Sequence, residues 1–414
     1  MQETPQANRL HIGVFGRRNV GKSSLINALT NQELALVSEI AGTTTDPVYK
    51  AMELLPVGPV VLVDTAGIDD SGNLGQLRVK KTIEVIRKID LAILVIEPAS
   101  GLGRFEQELF ARLQQNKTRV VVVVNKVDLS VGKDLSGEIE TEFRIKPVLV
   151  SALEKSGIEE LREELARIAP RDDQNVTIIG DLISPGDLVV LVTPIDSAAP
   201  KGRLILPQVQ TLRDVIDHDG IAVVCKETEL TATLNGLKDK PRIVVTDSQA
   251  FHQVAGEVPL AILLTGFSIL FARYKGDLRM LIEGVGRLAS LQAGDKVLIA
   301  EACTHRRQAD DIGTVKLPAW LKKRVGRLDF THVAGREYPA DLASYDLVLH
   351  CGGCMVNRKE MLSRLKEAKE GGVPVVNYGM AIAYLHGILE RALQPFPEYY
   401  QQWITARKRG EKIG

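Results

Sequence analysis

From Leu10 to Ala169 the chain alternates short apolar runs with stretches where apolar residues recur at helical spacing. The runs Ile12–Phe15, Val60–Val63, Leu91–Ile96 and Val120–Val124 have the length of strands and lack polar alternation, as strands buried on both faces do. Such strands alternating with helices predict a parallel sheet covered by helices on both sides, an α/β fold. Pro170-Arg171-Asp172-Asp173-Gln174-Asn175 breaks the pattern with a proline and five polar residues and reads as a linker. A second βα series follows through Leu188–Val192, Ile221–Val224 and Ile243–Val245, and a third through Val297–Ala300, Leu328–Val333, Leu347–Leu349 and Val373–Val376. No change in composition marks their border, which we place near Thr265-Gly266. The pattern thus predicts three α/β segments, 1–170, 171–265 and 266–414, with no internal repeat.

Composition narrows the class. A chain of 414 residues exceeds what one hydrophobic core normally holds, and 45% hydrophobic with 25% charged residues is ordinary for folded soluble protein. Lys plus Arg equals Asp plus Glu, 52 of each, so no net field draws the chain to nucleic acid or an acidic membrane. Met1 to Arg9 is polar, and the longest apolar stretch, Pro259–Ala272, is too short to span a bilayer. A cytoplasmic protein is expected, and the basic tail Ala406–Lys412 reads as a solvated end.

Gly16-Arg17-Arg18-Asn19-Val20-Gly21-Lys22-Ser23 follows the first strand and opens the helical pattern Ser24–Leu29. This spacing is that of a phosphate-binding loop: backbone N–H groups of Asn19, Val20, Gly21 and Ser24 and their neighbours turn toward the phosphates, Lys22 reaches the β- and γ-phosphates, and the Ser23 hydroxyl binds Mg²⁺. Gly42-Thr43-Thr44-Thr45-Asp46 offers Thr44 as a second hydroxyl on Mg²⁺. Asp64-Thr65-Ala66-Gly67 ends a strand, so Asp64 can hold the metal through water while the Gly67 N–H meets the γ-phosphate. Asn125-Lys126-Val127-Asp128 ends another, and the Asp128 carboxylate accepts the two N–H groups on the guanine edge. Ser151-Ala152-Leu153 fits the loop lining the base. Each element admits a bland reading as a turn or helix cap, but five in order at strand ends predict a GTP-binding and GTP-hydrolysing domain over 1–170.

These residues resemble the Era, EngA and TrmE branch of GTPases, whose phosphate loop reads close to Gly-Arg-Pro-Asn-x-Gly-Lys-Ser and whose switch reads Gly-Thr-Thr-Arg-Asp. Here Arg18 and Thr45 stand in place of the proline and arginine. The resemblance implies that Asn19 helps bind K⁺ and that K⁺ stimulates hydrolysis. Ile68 follows Gly67, where many GTPases carry a water-orienting Gln, so intrinsic turnover should be slow, of order 10⁻³ s⁻¹ or less.

Three of the four cysteines cluster by position. Cys303-Thr304-His305 follows one predicted strand and His350-Cys351-Gly352-Gly353-Cys354 another, so both leave the C-terminal ends of one parallel sheet. Three thiolates with two nearby histidines suit an iron–sulfur cluster or zinc. Cys351 and Cys354 alone could form a redox dithiol. Cys225, in an apolar run, reads as core, and His11, His218, His252, His332 and His386 read as structural.

The pattern Cys-x-His followed by His-Cys-x-x-Cys, behind a GTPase domain of this branch, resembles the HydF family that acts in FeFe-hydrogenase maturation. The resemblance covers the whole chain. It implies a GTPase domain at 1–170, a dimerisation domain at 171–265 and a cluster-binding domain at 266–414. A 4Fe–4S cluster would sit on Cys303, Cys351 and Cys354, with His305 or His350 as candidate fourth ligands beside a labile one. The implied role is a homodimeric scaffold that carries a diiron precursor to the hydrogenase apoprotein, with radical-SAM maturases as partners. Two other classes stay open from the residues: an Era/TrmE-like GTPase in RNA modification or ribosome assembly, and a GTP-regulated dithiol oxidoreductase. Few aromatics and no basic stripe weigh against the former.

Overall fold

The computed structural model describes residues 5–30, 47–65, 81–129, 134–170, 177–194, 204–302, 311–335 and 338–410. The chain divides into two compact units, Met1–Asp173 and Gln174–Gly414.

The first unit is built on a six-stranded sheet of β1 (Leu10–Phe15), β2 (Val48–Leu54), β3 (Gly58–Asp64), β4 (Leu91–Ile96), β5 (Arg119–Val124) and β6 (Val148–Leu149), in the order β2-β3-β1-β4-β5-β6. Side chains of successive strand residues go to opposite faces. In β4, Leu91, Ile93 and Val95 join one core while Ala92, Leu94 and Ile96 join the other, and β5 divides in the same way. This two-sided burial is why the central strands show unbroken apolar runs, each fully buried Val or Leu contributing roughly 1.5–3 kcal/mol. All neighbours pair in parallel except β2, which runs antiparallel to β3 at the edge. Its residues are mostly exposed or half-buried, so it lacks the apolar run that marks the others.

The second unit holds two four-stranded parallel sheets. The first, ordered β10-β9-β7-β8, contains β7 (Leu188–Val192), β8 (Ile221–Cys225), β9 (Ile243–Thr246) and β10 (Leu263–Gly266). The second, ordered β12-β11-β13-β14, contains β11 (Lys296–Glu301), β12 (Asp329–Ala334), β13 (Leu347–His350) and β14 (Val375–Asn377). One continuous apolar core runs through both. The helix Leu278–Ala289 lies directly on β14, since a Cβ on Gly284 would stand 1.9 Å from the Val375 carbonyl oxygen. Thr265 and Asn377 tie the two sheets with hydrogen bonds to the Ala392 and Ser268 carbonyls. Among the described residues no helix is long and apolar enough to cross a membrane.

Candidate functional site

The loop after β1 wraps back on itself around Lys22, the first residue of the helix Lys22–Thr30. The Lys22 Nζ donates to the carbonyls of Gly16 (3.0 Å) and Arg17 (2.6 Å), placing a largely buried ammonium inside the loop that would cradle the phosphates. Gly21 has φ +90°, and a Cβ there would stand 2.3 Å from Asn125 Nδ2, so both conformation and space require glycine. At the end of β3, Asp64 Oδ2 accepts from the Ser23 hydroxyl at 3.0 Å. These are the two groups expected around Mg²⁺. Burial pushes the Asp64 carboxyl up, while the Ser23 hydrogen bond and the Lys22 charge pull it down. Asp64 is therefore a partly desolvated anion that a divalent cation would stabilise.

Asn125, just past β5, joins the phosphate loop to the base loop. Its Nδ2 donates to the Val20 carbonyl (2.9 Å) and its Oδ1 accepts from the Ala152 N–H (3.1 Å). Ser151 Oγ accepts from the Glu154 N–H, folding the base-side turn. Lys126 spans the site with its Nζ on the Asn19 carbonyl (2.5 Å) and on Glu97 (2.6 Å). Asp128 is half-buried on the same turn and Asn19 is exposed, at φ +62°. Thr44 and Gly67, with Thr43, Thr45 and Ile68, lie outside the described residues.

Two supporting carboxylates escape motif reasoning. Glu97 holds Lys126, and Glu106, only 2% exposed in its side chain, takes a two-pronged ion pair from Arg17 at 2.8 Å on each arm. Glu106 also accepts from the Gly103 N–H at the start of the helix Arg104–Gln115. A charged residue in the first turn of a predicted helix is an ordinary cap in sequence, so only the fold reveals its partner.

In the second unit the parallel pairing of β11 and β13 sets Ala300 opposite His350. Cys351 continues that register, donating its N–H to the Ala300 carbonyl at 2.9 Å. The Ala302 N–H in turn points at Cys351 Sγ, 3.1 Å away, and Ala302 immediately precedes Cys303 in the chain. Burial pushes the Cys351 thiol up, and the Ala302 and Gly353 N–H groups work in the opposite direction. Sulfur receiving backbone N–H groups in a buried setting is the donor chemistry of a thiolate ligated to a soft metal, so Cys351 fits the expected cluster. Cys354 is half-buried on the same turn, and Cys303 and His305 lie outside the described residues. Among the described residues no group of three or more metal-binding side chains converges. Cys225 is on β8, in the other sheet.

His350, a candidate ligand, is held by hydrogen bonds at both ring nitrogens in the structure. Its Nδ1 lies 2.6 Å from the Cys351 carbonyl oxygen and its Nε2 2.7 Å from Arg364 Nε. The guanidinium can only donate, so Nε2 accepts and Nδ1 carries the proton. Neither nitrogen has a lone pair to offer a metal in this arrangement. Burial, with the Arg364 charge, pushes the ring down to about 3, which keeps it neutral. Arg364 also lies 4.6 Å from the centre of the Tyr338 ring. Lys275 Nζ donates to the Cys354 and Val356 carbonyls of the same turn, at 3.0 Å each.

Three family models match the chain: a hydrogen maturase F dimerization domain over residues 178–276, a hydrogen maturase F tetramerization domain over 279–395, and a 50S ribosome-binding GTPase over 11–126. The second segment as matched therefore includes the helix Phe267–Lys275. The tRNA modification GTPase MnmE of Aquifex aeolicus is 36% identical over 169 residues, which is 40% of this chain and 36% of the relative. That of Dechloromonas aromatica is 34% identical over 39% of this chain and 35% of the relative. The chain thus spans about a third of the length of these curated relatives. Among solved structures, an Aquifex aeolicus Era variant bound to GDP and aluminium fluoride covers 52% of this chain and 93% of its own, with TM-score 0.36 and 19% identity. The G domain of the Thermotoga maritima FeoB iron transporter covers 39% of this chain and 98% of its own, with TM-score 0.31 and 23% identity.

Proposed function

Because the chain belongs to the hydrogen maturase F (HydF) family and carries a GTPase domain, we propose that it is a GTP-hydrolysing scaffold in FeFe-hydrogenase maturation. In this reading it holds a 4Fe–4S cluster and carries a diiron precursor to the hydrogenase apoprotein, with radical-SAM maturases supplying the precursor. The observation that carries it is the Ala302 N–H on Cys351 Sγ, which joins the strand end before Cys303 to the Cys351-x-x-Cys354 turn.

At the nucleotide, Lys22 neutralises the phosphates, Ser23 and Asp64 hold Mg²⁺, and Asp128 selects guanine, with Asn125 fixing one loop against the other. Thr44 and the Gly67 N–H complete the γ-phosphate side. Asn19 would take K⁺ beside the phosphates, and with Ile68 in place of a water-orienting residue turnover is slow. In the second unit Cys303, Cys351 and Cys354 would hold the cluster, which supplies one-electron chemistry and an iron with an exchangeable ligand. Cys351 is fixed by two backbone N–H groups, and His350 stays neutral and holds Arg364 beside it. Two chains pair through the segment 171–265, the match of 279–395 to a tetramerization domain supports a further pairing of such dimers, and the protein works in the cytoplasm.

Anaerobic purification and reconstitution followed by iron, sulfide and zinc analysis tests the reading. Iron and sulfide should be present in equal amounts, about four of each per chain. They should be lost in Cys303→Ala, Cys351→Ala and Cys354→Ala and kept in Cys225→Ala. Zinc alone, or full iron in Cys303→Ala, would overturn it.

A further inference from the structure

Lys275 ends the helix Phe267–Lys275 and is only 2% exposed. An ammonium so deep in the protein normally sits against a carboxylate, because an unpaired buried charge is costly by several kcal/mol. Lys275 has no such partner among the described residues. Its contacts are the Cys354 and Val356 carbonyls, 3.0 Å each, and the face of the Phe271 ring at 5.6 Å. Both carbonyls belong to the turn that presents Cys354. A second buried cation, Arg364, donates to His350, the residue that precedes Cys351. Two buried positive charges thus contact this turn and the residue leading into it, and the turn's own ionisable groups are thiols.

We propose that Lys275 is the positioning cation of the cysteine turn: its ammonium fixes the Cys354 backbone and supplies countercharge to a cluster bound there, favouring the cluster's reduced state. This rests on the cluster reading above. A cluster held by thiolates is net negative and gains a further negative charge on reduction. A fixed cation in a low-dielectric setting therefore stabilises the reduced form more than the oxidised one. Lys275 also belongs to the segment matched as the dimerization domain, while Cys354 belongs to the next. The dimerization segment thereby contributes a residue that tunes the position and the potential of a metal site in the segment after it.

The test uses the full chain, reconstituted anaerobically, as wild type, Lys275→Met and Lys275→Arg, with the cluster's potential read by electron paramagnetic resonance during a redox titration. Lys275→Met should lower the reduced-to-oxidised ratio at a given potential by tenfold, about 59 mV for one electron, and Lys275→Arg should restore most of it. Folding of the second unit is followed by fluorescence of Trp320 and Trp403, which both lie in it. GTP hydrolysis should not change. If Lys275→Met does not fold, Lys275→Gln replaces it, keeping an N–H donor for the carbonyls while removing the charge. A wild-type potential and full iron content in the folded neutral variant would overturn the proposal and leave the cluster reading standing. Absence of any cluster in wild type would overturn the cluster reading, and the proposal with it.

Discussion

Removing the Arg17 guanidinium should destabilise the first unit through a residue that need not touch nucleotide. The Glu106 carboxylate is 2% exposed, and its partner Arg17 is 30% exposed, with both N–H···O contacts at 2.8 Å. Breaking a buried pair from one side typically costs about 3–5 kcal/mol, because the remaining charge is left without compensation. Water reaches the Arg17 end, and that screening lowers the expectation to about 2 kcal/mol. For a unit of this size each kcal/mol moves the melting temperature by about 2–4 °C, so Arg17→Met should lose about 4–8 °C. The double variant Arg17→Met/Glu106→Leu removes the stranded charge and should recover most of the loss. Scanning calorimetry of the full chain reads both. The first unit's transition is identified by its shift on adding GDP and Mg²⁺, and tryptophan fluorescence reports the second unit separately because both tryptophans lie there. An unchanged transition in Arg17→Met, or a double variant as weak as the single, would refute the reasoning.

Other outcomes follow from the same geometry. Asp128→Asn should exchange GTP for xanthosine triphosphate as the preferred nucleotide, by up to about 10⁴ in relative affinity; competitive binding that still favours GTP would reject the guanine contact. Gly21→Ala places a Cβ 2.3 Å from Asn125 Nδ2 at a positive φ, so nucleotide affinity should fall at least tenfold, read by titration with a fluorescent GDP. Replacing Na⁺ by K⁺ at equal ionic strength should raise the hydrolysis rate, and equal rates would remove Asn19 from a cation site. Ser23→Ala removes the hydroxyl 3.0 Å from Asp64 and should raise the Mg²⁺ concentration needed for half-maximal hydrolysis; an unchanged Mg²⁺ dependence would exclude Ser23 as a ligand.

The α/β architecture was legible because the central strands are buried on both faces and so appear as apolar runs. β2 was not, since an edge strand with one face in water carries no such run. The phosphate loop and the turn after β5 were legible because each motif is contiguous in the chain. Their supports were not: Arg17 and Glu106 are 89 positions apart, and Lys275 and the Cys354 carbonyl are 79 apart. Pairings across such distances are decided by the tertiary fold, and an isolated Lys or Glu gives no sign of its partner. The same holds for His350: a histidine next to a Cys-x-x-Cys turn invites a metal, and only the fold reveals that Arg364, 14 residues further along, donates to its Nε2.

The bond from the Ala302 N–H to Cys351 Sγ joins residues 49 positions apart, with β12 and the helix Leu317–Val325 between them in the chain. During synthesis, a nascent chain that has emerged only as far as β11 has one wall of the sulfur pocket and not the other. The pocket closes when β13 docks beside β11, a non-local pairing that comes late compared with the local helices. If the proposed cluster is bound here, its loading would follow this docking: iron offered before β13 has emerged would meet lone thiols and not a preformed seat.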